Sequence, residues 1–477
     1  LKKGHSVFLV SKFQKKYFDA MSKRLTGKYI QFDGFLNSSY CQGDKPKLVE
    51  PEYEVGTIGR CDSVFKKPFI LKELLEDTNV KNLVMSNELI TIRPKIKQKG
   101  FNQENIGISA FTKEDTAVYN RILRMTNTPY FKDLSDNHSK IVSKIINGYK
   151  NKLEGKLLSK DEYVLSGHEL VELESIHDWE LFRYLVYRYK YNLYPILKKF
   201  DDYPPCVQIE PVSICNFRCV FCFQADKTFT DKKSGYMGYM DLDLFKSVID
   251  ELEGNVESIT LASRGEPTLH KQLGEMLEYM NGKFLAVKIN SNASLFTDKM
   301  IHTILSNDVQ TMAFSIDAAD KELYEKLRVN GKFEKTLKNV ERFNEIREKD
   351  YPTSRLVTRI SGVKVNEVQN VDDMVEMWSS YSDLVAFTNY IPWESSYENE
   401  LSGVETPCTE LWRRMFVWFD GKVNPCDYDY KSLLSKWNVK DMSISEIWNS
   451  EYYNWMRKLH LQKERKQIEP CKRCIMS

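Results

Sequence analysis

Seven of the ten cysteines fall into two groups whose spacing is typical of metal or cluster ligands. The first group is Cys215, Cys219 and Cys222, with gaps of three and two residues. A four-iron cluster takes one ligand per iron, so three thiolates on one loop leave one iron open to a substrate or cosubstrate. Zinc is the alternative, although structural zinc sites close with four ligands and this loop holds no histidine.

The second group is formed by the last four cysteines of the chain: Cys408, Cys426, Cys471 and Cys474. Four thiolates suit a closed site, and both a cluster and zinc fit that number. Asp427 directly follows Cys426. An aspartate in a hairpin can accept hydrogen bonds from nearby backbone.

Between residues 205 and 395, short apolar strands alternate with amphipathic helices. This order predicts βαβ units and a parallel sheet, and six such units make an open or closed barrel. Our hypothesis is an α/β fold built as a partial (β/α)6 TIM-like barrel. The predicted strands are Val207–Val212, Ser258–Leu261, Leu285–Ile289, Thr311–Ile316, Leu356–Val363 and Leu384–Tyr390. The predicted helices are Leu242–Leu252, Leu273–Met280, Asp298–Leu305 with Thr297 as its cap, Lys335–Arg347 and Val371–Trp378.

Polar residues follow the first four of these strands in turn. They are the first cysteine group, Arg264–Pro267, Ser291–Asn292 and Ser315–Asp317. In a barrel of this kind the chemistry gathers at the C-terminal ends of the strands. We therefore expect all four segments on one rim.

The three cysteines, with Phe221 just before the third, resemble the signature of the radical S-adenosylmethionine (SAM) superfamily. Gly265 and Glu266 lie in a segment similar to the family's glycine-glycine-glutamate-proline motif, which contacts the methionine amino group. Two further segments resemble its threonine-asparagine-glycine and serine-isoleucine-aspartate-glycine motifs. The resemblance implies that SAM is bound by Phe221, Gly265, Glu266, Ser291, Asn292, Ser315, Asp317 and Arg328.

Three positions depart from the family pattern, because Arg264, Ala293 and Ala318 stand where the family has glycine. Glycine is used where the backbone needs a positive φ or a close approach, so these changes leave the local loop geometry open.

The C-terminal region has a predicted hairpin that turns at Asp420–Gly421 and reaches Cys426. It resembles the auxiliary-cluster extension called SPASM or, in its shortened form, twitch. Four cysteines instead of seven imply one auxiliary [4Fe–4S] cluster beside the SAM-binding [4Fe–4S] cluster. In relatives with a similar Pro-Cys-Asp segment, the aspartate is proposed to take a substrate proton, a role that Asp427 would have here.

These regions predict three domains: an N-terminal α/β region of unknown role (1–200), a radical SAM partial barrel (201–395) and an auxiliary-cluster domain (396–477). The resemblance implies cleavage of SAM to methionine and a 5′-deoxyadenosyl radical that abstracts a substrate hydrogen, with flavodoxin or ferredoxin as electron donor. We favour oxidation, epimerisation or elimination on a small-molecule substrate, namely a sugar, nucleotide-sugar or cyclitol. The alternatives are maturation of a peptide or protein side chain and a non-enzymatic, zinc-stabilised binding module.

Composition and charge limit which partners and which cellular compartment we expect. The net charge of +2 and the lack of a basic stripe argue against nucleic acid. No apolar run reaches the roughly 20 residues that span a bilayer, and no secretion signal is evident. Grouped cysteines in such a chain indicate a reducing compartment, so we expect a cytoplasmic protein without a membrane partner. Near the N-terminus, a strand at Ser6–Val10 and a helix at Tyr17–Leu25 are predicted.

Overall fold

The computed structural model describes residues 113–366 and 368–476, apart from the side chains of Lys113 and Val171. The strand and the helix predicted near the N-terminus lie outside these residues. The described part begins with five helices: α1 (Lys113–Met125), α2 (Pro129–Lys132), α3 (Asp136–Leu153), α4 (Gly167–Glu174) and α5 (Leu181–Leu197). Ser135 caps α3 by accepting from the backbone N–H of His138, and α5 ends at Lys198 with φ 55°. Their buried apolar side chains form one cluster.

A sheet of eight strands forms the centre of the molecule, in the order β10-β9-β1-β3-β4-β5-β7-β8. Its strands are β1 (Cys206–Ile209), β3 (Ser258–Leu261), β4 (Ala286–Ser291), β5 (Thr311–Ser315), β7 (Val357–Lys364), β8 (Leu384–Asn389), β9 (Arg414–Val417) and β10 (Val423–Asn424). All neighbours are parallel except β9 and β10. Two short strands, β2 (Arg218–Cys219) and β6 (Arg328–Val329), pair separately.

Helices cover one face of the sheet because alternate strand residues are apolar on that face. The helices that follow along the chain are α6 (Lys227–Thr230), which packs in a separate cluster, and α7 (Leu242–Leu252), α8 (Leu273–Met280), α9 (Asp298–Ser306), α10 (Lys321–Leu327), α11 (Phe333–Asp350), α12 (Val371–Trp378), α13 (Ile444–Trp448) and α14 (Glu451–Leu461). Short 3₁₀ turns occur at Asp178–Glu180, Phe223–Ala225, Pro267–Leu269, Trp393–Ser395, Thr409–Trp412, Arg465–Gln467 and Cys471–Arg473. Val207, Ile259 and Ile289 lie in the core between sheet and helices.

The predicted α/β architecture is confirmed, and the sheet is mostly parallel without closing into a complete barrel. The hairpin at Asp420–Gly421 is confirmed as β9 and β10. Sequence reasoning did not predict that β9 also pairs in parallel with β1, which brings the C-terminal region into the same sheet.

Several predicted ends differ by a few residues: the first strand ends at Ile209 instead of Val212, because Pro211 cannot donate to a sheet. Within the two described ranges, no helix combines the length and the apolar character that crossing a membrane requires.

Candidate active site

The loop between β1 and β2 carries the first cysteine group. Cys219 lies in β2 opposite Arg328 of β6, and Arg328 Nη1 is 3.9 Å from Cys219 Sγ. Burial raises the pKa of all three thiols, and the pKa of Cys215 rises to about 12. Negative charge on Cys215 and Cys219 would raise the pKa of Cys222 further. Three such thiols lose their protons when iron binds, since the thiolate is the ligand. The donor set fits a cluster with one open iron.

Glu266 lies at the N-terminus of the 3₁₀ turn after β3 and is almost completely buried. Its Oε1 accepts from Ser291 Oγ (2.7 Å) and from Thr268 Oγ1 (2.6 Å) and N (3.1 Å), and its Oε2 accepts from Asn292 N (2.7 Å). Burial raises its pKa, and these donors partly offset that rise. The negative charge of Glu266 also raises the pKa of Cys215, which places the carboxylate beside the cysteine loop.

Gly265 is required by a close approach of two loops. A Cβ at this position would lie 2.2 Å from the carbonyl oxygen of Val212 and 2.6 Å from that of Ile214. Only glycine fits there without a shift of the backbone. The glutamate that follows is thereby held against the cysteine loop, and Glu266 N donates to the Ile214 carbonyl at 3.0 Å.

Arg264 takes the place of the family's first glycine and is also buried. Its Nε and Nη2 bind the two carboxylate oxygens of Glu210 at 2.7 and 2.6 Å, and its Nη1 donates to the carbonyl of Tyr430 at 2.9 Å. The guanidinium also lies 4.4 Å from the ring centre of Trp418. Arg264 therefore connects β1, the rim loop and the C-terminal region.

The segment Ser291–Asn292–Ala293 closes β4 on the same rim. Ala293 has φ 58°, a left-handed conformation that costs an alanine roughly 1 to 2 kcal/mol. Two hydrogen bonds hold it: its N–H donates to Ser291 Oγ at 3.0 Å, and its carbonyl accepts from Asn339 Nδ2 at 2.7 Å. Asn292 Nδ2 donates to Asn216 Oδ1 at 2.9 Å, so this segment touches the cysteine loop.

Ser315 ends β5, and Asp317 follows it in a fully buried position. Asp317 forms an ion pair with Arg328 and accepts from the backbone N–H of Val363 at 2.7 Å. The Arg328 guanidinium also lies 5.7 Å from the ring centre of Phe221. Arg328 is thus held between Asp317 and the cysteine loop. A positive φ does not require glycine at position 318, because the φ of Ala318 is not positive.

The C-terminal cysteines Cys408, Cys426, Cys471 and Cys474 line one cavity of about 190 Å³. Arg465, which sequence reasoning missed, holds the two ends of this set together. Its Nη1 donates to the Thr406 carbonyl at 3.0 Å, and its Nη2 donates to the carbonyls of Cys471 (3.2 Å) and Cys474 (3.1 Å). The only sequence signal was an arginine close before the final Cys-x-x-Cys.

Asp427 lines the same cavity, close to the guanidinium of Arg414. The pKa of Asp427 is raised to about 6, mainly by burial. The positive charge of Arg414 lowers this pKa, and the negative charge of Glu410 raises it. Asp429 has a different environment: it accepts from Tyr397 Oη (2.8 Å) and from the backbone N–H groups of Leu433 and Leu434. Backbone hydrogen bonds from Asp427 and Tyr428 also lower the pKa of Asp427, so both aspartates accept from the hairpin backbone, and a role for Asp427 as a base stays a prediction.

Among the described residues, no three His, Cys, Asp or Glu side chains converge closely enough to hold a single metal ion. The ligands of a cluster each bind a different iron, so they stand farther apart than the ligands of one ion. The two sets of thiols, one of them around a cavity, suit clusters, and the set of four also has the number of ligands that zinc takes.

Comparison with known protein families decides between these possibilities. Residues 209–377 match the Radical SAM superfamily, and residues 408–475 match SPASM, an iron–sulfur cluster-binding domain. The chain contains a Radical SAM domain and, C-terminal to it, a SPASM domain. A radical SAM domain implies a [4Fe–4S] cluster and SAM, and a SPASM domain implies auxiliary iron–sulfur binding. That a single auxiliary cluster is bound stays a prediction from the four cysteines.

Curated relatives match parts of this chain. Mycofactocin maturase MftC of Mycolicibacterium smegmatis is 23% identical over 221 residues, which cover 46% of this chain and 53% of MftC. AdoMet-dependent heme synthase of Methanosarcina barkeri is 27% identical over 174 residues (36% and 47%). The tungsten-containing aldehyde ferredoxin oxidoreductase cofactor-modifying protein of Pyrococcus furiosus is 32% identical over 111 residues (23% and 30%). The chain therefore spans about half, or less, of these relatives' lengths.

Solved structures are similar at a lower level. SuiB of Streptococcus suis, bound to its precursor peptide SuiA, has a TM-score of 0.45 at 15% identity and covers 71% of this chain and 83% of SuiB. BtrN in complex with AdoMet and 2-DOIA has a TM-score of 0.39 at 18% identity, covering 56% and 92%. Both TM-scores lie below 0.5.

Proposed function

We propose that this protein cleaves SAM reductively and uses the resulting radical to modify a peptide or protein side chain. The observation that carries the proposal is the similarity to mycofactocin maturase, which extends over 46% of the chain. The sugar, nucleotide-sugar or cyclitol substrate favoured by the sequence has less support, because none of the curated relatives reported above is named for such a molecule.

The rim residues suit the first step. When bound, the cluster on Cys215, Cys219 and Cys222 passes one electron to the SAM sulfonium, and the C5′–S bond breaks to give methionine and a 5′-deoxyadenosyl radical. Within the described part, Glu266 Oε2 accepts one hydrogen bond, from Asn292 N, whereas Oε1 accepts three. A carboxylate oxygen has about two lone pairs, so Oε2 is free to accept from the methionine ammonium.

The remaining predicted contacts are proposed on placement. Gly265 keeps Glu266 against the cysteine loop, and Ser291 fixes the carboxylate from the side of β4. Arg328 lies beside Cys219, where its charge favours the thiolate. We assign Ser315, Asn292, Asp317 and Phe221 to the same SAM-binding rim.

The second step takes place on the substrate. The radical takes a hydrogen atom from the peptide and becomes 5′-deoxyadenosine, which leaves a substrate radical. Loss of one electron to an auxiliary cluster on the C-terminal cysteines, and of one proton to Asp427, would complete a two-electron oxidation. Asp427 lines the same cavity as those cysteines, which supports this assignment.

The open side of the sheet supports a chain-like substrate. Within the described residues, β8 pairs only with β7, and its outer edge is partly exposed. Extended peptides bind proteins by pairing with such an edge.

The electron would come from flavodoxin or ferredoxin. We propose the domain limits 1–200, 201–395 and 396–477, which contain the two family matches.

The test uses the reconstituted protein with SAM, dithionite and two panels of deuterated compounds, one of peptides and one of sugars and cyclitols. We expect deuterium in 5′-deoxyadenosine and a mass change in at least one peptide. An Asp427→Asn variant should still transfer deuterium but form less oxidised product. Deuterium transfer from a sugar or cyclitol, with none from any peptide, would reject the peptide proposal.

A further inference from the structure

Three cations lie on the face of the sheet that points away from the covering helices. Along β4 and β7, half-exposed residues alternate with buried ones, and the buried Val287, Ile289 and Ile360 pack in the core. Lys288 and Arg359 therefore lie on the opposite, inner face. Arg414 of β9 shares that face, since the charges of Arg359 and Arg414 both act on Lys288.

The strand register places these cations below the SAM-binding rim. Lys288 lies three residues before Ser291 on β4, and Arg359 lies two residues before Ser361, which pairs with Ser315. At about 3.3 Å per residue, these two cations lie roughly 10 and 7 Å beneath the rim. Between their strands runs β5, whose inward residues at this depth are the small Thr311 and Ala313. Small residues leave space between the two cations.

Within the described residues, the side chains of Lys288 and Arg359 have no ion-pair or hydrogen-bond partner, and Arg359 Nε is buried without an acceptor. Arg414 differs, because it pairs with Glu410 and donates to Tyr191 Oη at 2.8 Å. Burial and the neighbouring arginines lower the pKa of Lys288 to about 7.

Nearby acidic and polar groups do not neutralise the charges of Lys288 and Arg359. Glu172 acts on Arg359 electrostatically, but this carboxylate is bound by Arg188 and by Tyr184 Oη. Asn290 lies on the same face as Lys288, and its Oδ1 is buried without a partner. Both side chains are partly buried, and a partly buried charge without a partner costs free energy that a ligand of opposite charge would offset.

We propose that Lys288 and Arg359 bind a carboxylate of the substrate beneath the SAM site. That the carboxylate belongs to a peptide rests on the proposed function. The carboxylate is either the C-terminal one or that of an acidic side chain, and both present the same chemistry. An anchor roughly 7 to 10 Å below the rim places the reacting carbon about two to three residues from the carboxylate, at about 3.3 Å per residue.

A purely structural role makes the opposite prediction for stability. If the two cations served the fold, their removal would lower the melting temperature. If they serve a ligand, Lys288→Met and Arg359→Met should leave the melting temperature of the ligand-free protein unchanged or raised, because an uncompensated charge is removed. The control is Arg457→Met: Arg457 is buried and donates to the carbonyls of Leu411 and Trp448, so its loss should lower the melting temperature.

Binding is measured with N-acetylalanine, N-acetylalanine amide and N-acetylaspartate α-amide on the reconstituted, SAM-loaded protein by calorimetry. We expect at least one of the two acids to bind at least tenfold more tightly than N-acetylalanine amide, and the tighter acid identifies the source of the carboxylate. Each of the two Met variants should lose that preference, Arg359→Lys should retain part of it, and Arg457→Met should retain all of it.

Two results would overturn the proposal: equal binding of acids and amide to the unmodified protein, or Met variants that unfold or melt lower while the acid preference persists. The binding readout needs no turnover. If no peptide is ever modified but the acid preference depends on Lys288 and Arg359, the peptide function fails and the carboxylate site stands.

Discussion

The buried pair Arg264–Glu210 should hold the C-terminal SPASM region to the radical SAM sheet. The side chains are 2% and 0% exposed, and two parallel N–H···O bonds join them. Glu210 also accepts from the backbone N–H of Phe419 at 3.3 Å. Breaking a buried pair on one side leaves an uncompensated charge and costs about 3 to 5 kcal/mol. We therefore expect Glu210→Gln and Arg264→Met each to destabilise the protein by that amount.

The expected shift in melting temperature follows from the size of the folded unit. With an unfolding entropy of about 2.1 cal/mol/K per residue over the roughly 360 residues that the structure describes, this cost lowers the melting temperature by about 4 to 7 °C. The double variant should lose clearly less than the sum of the two single losses, because no charge is then left without a partner. Melting of the anaerobic, reconstituted protein provides the measurement.

The matched control is Arg342→Met, which removes an ion pair to Asp298 whose side chains are 47% and 58% exposed. An exposed pair contributes roughly 1 kcal/mol or less, so this variant should shift the melting temperature by at most about 1 °C. Additive losses in the double variant, or single losses no larger than that of the control, would refute the role assigned to Arg264.

Three further predictions concern the rim and the auxiliary site. Gly265→Ala should abolish SAM cleavage, because its Cβ would lie 2.2 Å from a carbonyl oxygen. The control is Gly274→Ala in a helix, where the Cβ would meet one methyl group at 3.4 Å. This control should leave SAM cleavage unchanged and leave the melting temperature unchanged or raised. Ala293→Gly should relieve its positive φ and raise stability by up to about 1 kcal/mol in thermal melting; a loss of stability would contradict this. Cys426→Ala should lower the iron content from about eight to about four atoms per chain, and Cys206→Ser, outside both cysteine groups, should leave it unchanged.

Sequence reasoning was most successful where periodicity and caps agree. The helices Leu242–Leu252 and Val371–Trp378 were predicted to the residue, and Thr297 caps its helix as predicted. The helix Lys321–Leu327 was missed, because its seven residues are too few to show a clear apolar period. The parallel pairing of β9 with β1 was missed because no local pattern encodes contacts between residues 200 positions apart.

At the site, the predicted ligands stand in recognisable sequence motifs, whereas the groups that position them do not. The rim segments are identifiable from motifs, whereas Arg465 acts on backbone carbonyls that no motif specifies. Lys288 in an alternating strand is typical of a solvent-facing position, so its burial beside Arg359 required the folded sheet. The glycine-to-arginine change at 264 was recognised as a departure, but its partner Glu210 became evident only in three dimensions.

The central claim is that a cluster on Cys215, Cys219 and Cys222 cleaves SAM reductively. It is tested most directly by measuring 5′-deoxyadenosine and methionine after anaerobic incubation of the reconstituted protein with SAM and dithionite, beside a variant with all three cysteines changed to alanine. We predict equal amounts of both products from the unmodified protein and none above background from the variant. Absence of 5′-deoxyadenosine from protein that holds its iron, or undiminished formation by the variant, would contradict the claim.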